Sequence, residues 1–508
     1  MNTVEESSLS RGLIKSKKRV ADHGEVFTPS WLVDAMLDLT EEADRVESRF
    51  LEPACGNGNF LIRILQRKLA TVELKRRKAN HDVEHFVLIA IMSIYGIELL
   101  EDNIIECRKR LLRVFADFLK IESSHALYRA ASIVLSLNII HGDALKMLTH
   151  DGRPIVFNNI KTHLNKLFGG DMQFDVIIGN PPYQLGQSGG NAVGNFAMPI
   201  YQKFIDAAKE LKPRYIIMIT PSRWFAGGRG LDSFRQEMLS DRRLRYLIDY
   251  QDSREVFAGV DIAGGVSYFL WDSNWKGKCE ITNISGDAAS PTLNRYLNDY
   301  DILVRYNEAI PILERVIKAS GGDAFESLAS QVSPIQPFSI RTSFRGAPSS
   351  EGVADPVLIY QKGGTGFIDR DAIPRNTDWV DQWKVFLSRA ASEHGGQPAK
   401  SGTKRVFSRI IVGGPGTVCT ETYLVVGRFK KKSEAINLCS YLRTRFVRFL
   451  VSLRTNTQDL YNGRFAFVPN LPMTREWTDE ALYKRYSITK NEITFIEKTI
   501  RPMDKDDE

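Results

Sequence analysis

From about residue 30 to residue 272, short runs of β-branched and aromatic residues alternate with longer stretches whose apolar positions recur at helical spacing. Strands buried on both faces read as near-continuous apolar runs, and the crossovers between them as amphipathic helices, so this rhythm predicts a doubly wound α/β sheet. The predicted strands are 49–51, 94–97, 138–141, 174–178, 215–220, 245–249 and 265–271, and the predicted helices 31–39, 59–74, 101–119 and 200–211. Thr28-Pro29-Ser30 supplies a helix start for the first of these helices.

A stretch containing Gly, Ser, Asp and Pro at 285–291 ends the alternation, and a helix predicted over 301–319 reads as a connector. The domain boundary is placed near residue 300, dividing the chain into 1–300 and 301–508. The second part reads as mixed α+β. It has Gly/Ser/Thr-rich loops at 362–366, 392–403 and 412–417, isolated strands, a helix over 432–452, and a charged helical end over 477–500 before a solvated acidic tail.

Composition narrows the class. With 43% hydrophobic and 25% charged residues the chain is of ordinary globular type. It carries no uninterrupted apolar stretch of bilayer length, and the first residues lack the apolar core of a secretory signal, so a cytoplasmic protein without a membrane partner is expected. The five cysteines are odd in number, scattered and free of CxxC spacing, which indicates neither a disulfide framework nor a zinc site; no metal is expected. The formal charge of +7 is mildly basic and compatible with a polyanionic partner. Basic clusters at Lys15, Lys17, Lys18 and Arg19, and at Arg242, Arg243 and Arg245, each read by themselves as solvated faces.

Four segments carry chemistry. In Phe50-Leu51-Glu52-Pro53-Ala54-Cys55-Gly56-Asn57-Gly58-Asn59 a strand ends in a tight glycine turn that opens a helix, allowing backbone to approach a ligand. The turn is also compatible with phosphate binding, but it lacks the GxGxxG and GKS/T that a pyrophosphate binder normally shows; a purely structural turn is the other reading. Ile94-Tyr95-Gly96-Ile97-Glu98 ends a second strand on a carboxylate able to accept both hydroxyls of a ribose. Ile139-Ile140-His141-Gly142-Asp143 places a third acid at the same carboxyl edge, where open α/β sheets bind their ligands. The fourth segment, Asp175-Val176-Ile177-Ile178-Gly179-Asn180-Pro181-Pro182-Tyr183, is the most specific.

In this order, together with Phe27-Thr28-Pro29, the segments resemble the gamma class of amino-methyltransferases, the adenine-N6 DNA methylases of bacterial restriction-modification systems. The resemblance covers roughly the first 270 residues, and the rest only in general character. It implies a Rossmann-like domain dependent on S-adenosylmethionine, followed by a target-recognition domain acting on double-stranded DNA. Thr28, Glu52, Pro53, Ala54, Gly56, Gly58, Glu98, Leu99, Asp143 and Ala144 would bind the cofactor. Of these, Glu52 and Gly56 would meet its methionine part, Glu98 the ribose and Asp143 the adenine amine. Asn180, Pro181, Pro182 and Tyr183 would form the catalytic loop, with Tyr183 and Phe257 stacking on a flipped adenine. For Phe257 a core-anchoring role is an equal reading.

The chemistry fits such a loop. An adenine amine is a poor nucleophile because its lone pair is delocalised; two acceptors, Asn180 and the Pro181 carbonyl, would turn that lone pair outward. Successive prolines remove donors and stiffen the loop. Residues 184–197, rich in Gly, Gln and Asn, are expected to order on DNA. Tyr360, Gln361, Lys362, Arg389 and Arg409 are candidate DNA contacts. The alternatives are RNA adenine or protein glutamine methylation, or an inactive DNA-binding regulator. A separate restriction endonuclease as partner is left open.

Overall fold

The computed structural model describes residues 15–78, 82–157, 173–184, 198–228, 230–260, 262–286, 288–390, 403–455 and 459–503. The segments expected to form the mobile stretch after Tyr183, the loop at 392–403 and the acidic tail lie largely outside these residues. The described helices include none long and apolar enough to cross a membrane.

The chain divides into two units, Met1–Ser222 with Arg229–Asp301, and Arg223–Gly228 with Ile302–Glu508. In the first, strands β1 (Phe50–Glu52), β2 (Ile94–Glu98), β3 (Ile139–Asp143), β4 (Leu148–Thr149), β5 (Val176–Gly179), β6 (Tyr215–Pro221), β7 (Leu244–Tyr250), β8 (Val266–Asp272), β9 (Cys279–Ser285) and β10 (Ala288–Ala289) form one sheet. Their order is β10-β9-β7-β8-β6-β5-β1-β2-β3-β4, with β11 (Leu293–Arg295) paired to β9. Neighbours from β3 through β6 are parallel, and β8 runs antiparallel between β6 and β7. All seven strands read from the sequence are present. β1, β2 and β5 are buried at every position, which is why they read as apolar runs rather than alternating ones.

Helices α1 (Lys17–His23) and α2 (Ser30–Leu37) precede the sheet; α3 (Asn59–Lys78) and α4 (Val83–Met92) connect β1 to β2; α5 (Glu101–Leu119) and α6 (Ala126–Asn138) connect β2 to β3. α7 (Tyr201–Glu210) leads from β5 to β6, and α8 (Asp232–Ser240) from β6 to β7. The chain leaves β1 toward β2 and β3, then returns to the far side of β1 as β5, so the order reverses between β1 and β5 and opens a crevice at their carboxyl ends. Behind it, Leu32, Val33 and Met36 of α2 and Leu61 and Leu65 of α3 pack with Ile178, Tyr268 and Phe257 in one core cluster.

In the second unit, β12 (Pro356–Gln361), β13 (Gly364–Asp369) and β16 (Thr417–Cys419) form one three-stranded sheet, and β14 (Trp383–Ser388), β15 (Ile410–Gly413) and β17 (Tyr423–Phe429) another. Phe338, Val357, Ile359, Phe386, Val418 and Val425 share its core. The connector helix is shorter than the sequence pattern predicts: α9 spans Ala309–Ala319. Pro311 explains this, because proline is tolerated in a first turn but removes a hydrogen bond from a helix interior. The residues ahead of it, Leu303 and Val304, are buried outside any helix or strand. The helix expected over 432–452 is two, α10 (Lys432–Arg443) and α11 (Arg445–Ser452). Thr444 breaks it, with extended backbone and a hydroxyl that caps the Val447 amide at 3.2 Å. Similarly the charged end forms α12 (Asp479–Arg485) and α13 (Lys490–Thr499), capped by Thr478 and Thr489.

Candidate active site

β1 delivers Glu52 to the crevice, and the turn that follows depends on two glycines in the left-handed region, Gly56 at φ 51° and Gly58 at φ 89°. They serve different ends. A Cβ on Gly56 would stand 3.1 Å from the Phe27 ring, at the wall of a cavity of about 670 Å³. A Cβ on Gly58 would stand 2.6 Å from Cys107 Sγ on α5, so Gly58 lets the turn pack on that helix and does not line the cavity.

Thr28, Glu52, Pro53, Ala54, Gly56, Glu98, Leu99, Asp143, Ala144, Asn180 and Pro182 all line this one cavity, so residues from five separate stretches of sequence converge there. Glu98, at the end of β2, accepts from the Gly56 amide at 2.8 Å and the Leu100 amide at 3.0 Å. Burial nevertheless raises its carboxyl above the usual range. Asp143 accepts from the Leu145 amide at 2.9 Å and the Lys146 amide at 3.2 Å, which fixes its turn. Leu99 is 54% exposed, an apolar side chain at the cavity wall whose carbonyl is held by His141 Nε2 at 3.0 Å.

Glu52 Oε2, Asn57 Oδ1 and Asn180 Oδ1, all on residues lining the cavity, are buried without a hydrogen-bond partner among the described residues, as is Glu25 Oε2, which is ion-paired with Arg19 Nε at 2.8 Å. Burial, seconded by the nearby Cys107 and Glu98, pushes the Glu52 carboxyl well above its ordinary value. An orphaned buried acceptor costs about 1–3 kcal/mol, so Glu52 Oε2 and Asn180 Oδ1 are poised for a donor from a ligand. The Asn180 amide nitrogen is already committed to the Val26 carbonyl at 3.1 Å, which leaves its oxygen as the group offered.

The remaining candidates stand elsewhere. Pro181 is buried outside the cavity lining. Tyr183 is also outside it: its ring meets Tyr201 edge-on at 6.4 Å, and its buried hydroxyl, without a partner among the described residues, is pushed well above the usual phenol value. Phe257 corrects the sequence reading toward its core alternative. The ring is fully buried in the cluster beneath α2, with no face open to a base. In the second unit, Tyr360 is half-buried with its ring 5.0 Å from that of Phe386, and Gln361 is 8% exposed and accepts from the Gly346 amide; Lys362 and Arg409 are exposed. Arg389 faces Asp459 at 3.6 Å.

Sequence reasoning missed Glu25, Asn103 and Phe204, which also line the cavity. Phe204 had a signal, as a buried position on the amphipathic face of α7; Glu25 and Asn103 acquire theirs only from contacts across the fold. All five cysteines are buried, and none of them forms a disulfide.

Comparison with known proteins bears on this site. Residues 93–257 match the Eco57I restriction-modification methylase family. An uncharacterized adenine-specific methylase of Mycoplasma pneumoniae is 38% identical over 113 residues, 22% of this chain and 26% of that protein. The type II methyltransferase M.PaeR7I of Pseudomonas aeruginosa is 32% identical over 163 residues, 32% of this chain and 23% of that protein. The matches thus span about a quarter of each curated relative. Among solved structures, the type IIL restriction-modification enzyme MmeI in complex with DNA aligns with 91% of this chain and 69% of its own at 11% identity and a TM-score of 0.45. A nuclease-deletion mutant of the type ISP enzyme LlaGI aligns with 86% and 45% at 10% identity and a TM-score of 0.48. In keeping with the resemblance read from the motifs, the segment that matches the Eco57I restriction-modification methylase family, residues 93–257, carries β2 through β7 and Asn180 with its prolines.

Proposed function

We propose that the chain is a DNA methyltransferase that transfers a methyl group from S-adenosylmethionine to N6 of an adenine rotated out of the duplex. The observation that carries this reading is the amide of Asn180. Its nitrogen is tied to the Val26 carbonyl, and its oxygen stands buried and unpartnered at the cavity wall. With the nitrogen turned toward Val26, the amide offers its oxygen, an acceptor, at the cavity wall, which suits an exocyclic amine.

The cavity fits the cofactor by the chemistry of its donors and acceptors. Glu52, with an orphaned oxygen, would take the methionine ammonium; Glu98 would take the ribose hydroxyls and Asp143 the adenine amine, beside the apolar Leu99. S-adenosylmethionine would supply there a methyl group made electrophilic by its sulfonium. Asn180 Oδ1 and the Pro181 carbonyl would each accept one N6 hydrogen, drawing the lone pair out of the ring and aiming it across the cavity. The amine's surplus proton leaves to water after transfer. Pro181 and Pro182 keep the loop from offering competing donors. Extruding the base costs a few kcal/mol, which the recognition part of the chain, residues 301–508 in this reading, would offset through contacts to the duplex. The chain would act in a bacterial modification or defence setting.

The test is expression in a methylation-free bacterial host, with modified bases mapped across the genome by single-molecule sequencing. N6-methyladenine at one short motif, absent with Asn180→Ala, supports the reading. Unmodified DNA from soluble protein that binds the cofactor would overturn it in favour of RNA or protein substrates.

A further inference from the structure

Two members of the basic cluster read from sequence as a solvated face, Lys15 and Arg19, instead form a latch. Arg19 grips Asp102 in the first turn of α5 with two nitrogens, at 2.7 and 3.0 Å, and Lys15 Nζ reaches Asp102 at 3.0 Å and Glu106 at 3.1 Å. Arg19 also holds Glu25, with Nε at 2.8 Å and Nη2 at 2.9 Å. A second hand holds Glu25 from the cofactor side: Asn103 Nδ2 donates to it at 2.7 Å and to Glu98 Oε1 at 3.4 Å. Lys15 Nζ, on Asn103 Oδ1 at 2.7 Å, fixes which way that amide points. Two buried carboxylates, Glu98 and Glu25, are thus bridged by one amide.

The residues on either side of Glu25 touch the catalytic loop. Gly24 sits in the left-handed region at φ 65°, and a Cβ there would stand 3.4 Å from both Pro182 Cβ and the Tyr183 nitrogen. Val26 supplies the carbonyl that takes the Asn180 amide nitrogen. One strap therefore joins the Glu98 end of the cavity to the amide on which the proposed chemistry depends. The 3.4 Å bond from Asn103 to Glu98 is the longest in the chain of contacts, and it is the one a ligand hydroxyl on Glu98 would displace, releasing Asn103 wholly to Glu25.

We propose that Glu25, held between Arg19 and Asn103, is a positioning residue that couples occupation of the Glu98 end of the cavity to the setting of the Asn180 amide. It rests on the methyltransferase reading above. Binding of cofactor would then tighten capture of an extruded adenine, and by reciprocity the extruded base would tighten cofactor; such couplings typically amount to about 5–150-fold.

The experiment uses the full chain and a duplex carrying 2-aminopurine at the mapped target adenine, titrated with and without saturating S-adenosylhomocysteine. The ratio of the two dissociation constants is the coupling, and it is insensitive to the fraction of active protein. The wild type should show a ratio of at least about 5. Glu25→Ala and, as a variant at the outer latch less exposed to misfolding, Arg19→Ala should bring it near 1, while Glu25→Gln, which still accepts from Asn103, retains part of it. In turnover, Glu25→Ala should lower kcat with little change in KM for DNA. A wild-type ratio near 1, or variants that keep the wild-type ratio, would overturn the coupling while leaving the methyltransferase reading intact. A wild type that produces no fluorescence rise with the mapped duplex would overturn that reading and this inference with it.

Discussion

Gly58→Ala separates a cofactor contact from a packing contact. The motif alone places Gly58 among the cofactor-binding glycines, yet its α-carbon abuts α5: an added Cβ would stand 2.6 Å from Cys107 Sγ and 3.4 Å from Cys107 Cβ. Its φ of 89° adds a second penalty. A left-handed alanine costs about 1–2 kcal/mol, and overpacking a tight core about 1–3 kcal/mol. The thiol has little room to swing, because Cys55 packs beside it and a Cβ on Gly96 would already stand 2.9 Å from Cys55 Sγ. The expected loss is therefore about 2–5 kcal/mol, a large share of a typical domain's stability of about 5–15 kcal/mol. Urea titration followed by hydrogen exchange at the amides of α3 reads it out. Cys107→Ala in the same chain should return the overpacking part, about 1–3 kcal/mol as a non-additive term in a double-mutant cycle. The folded fraction should bind S-adenosylmethionine as the wild type does. A Gly58→Ala protein of unchanged stability with weakened cofactor binding would refute the packing argument, and so would additive behaviour with Cys107→Ala.

Two further outcomes follow from burial. Glu52 is fully buried with its carboxyl raised well above the usual value, so a cationic ligand on it must displace a proton. Cofactor affinity should rise with pH, and calorimetry in buffers of different ionisation enthalpy should show proton release that Glu52→Gln abolishes. The same shift has the opposite sign for folding: the folded state holds the proton longer than the unfolded chain, so above the ordinary carboxylate range this group's contribution to stability declines as pH rises. Phe257 is fully buried, so Phe257→Ala should cost about 3–5 kcal/mol in chemical denaturation. Phe257→Leu should keep methyl transfer nearly intact; loss of transfer by a stable Phe257→Leu protein would restore the stacking role.

What was legible in the sequence was local. The glycine turn after Glu52, the acids ending β2 and β3, and Asn180 with its prolines are each a strand end and the turn that follows. Eleven of the motif residues meet in one cavity because parallel strands bring their carboxyl ends to one edge. What was not legible depends on contacts far apart in the chain. Arg19 meets Asp102 across 83 positions and Asn103 meets Glu25 across 78, so Lys15 and Arg19 of a basic cluster that reads as solvated are paired. Phe257 is removed from the site by α2, an element more than two hundred positions earlier. Other misreadings had visible signals: Pro311 sets the start of α9, and Thr444 is a capping residue inside what reads as one helix.

In the proposed reaction the Asn180 oxygen receives an adenine amine. The most direct test of this is nucleoside mass spectrometry of unmethylated duplex DNA incubated with S-adenosylmethionine and either wild-type protein or Asn180→Ala. N6-methyl-2′-deoxyadenosine is expected from the wild type and a rate lower by roughly 10²–10³ for the variant, the usual effect of removing one hydrogen-bonding group aimed at the reacting centre, with cofactor affinity unchanged. Equal rates from the two proteins, or methylation on cytosine alone, would contradict it.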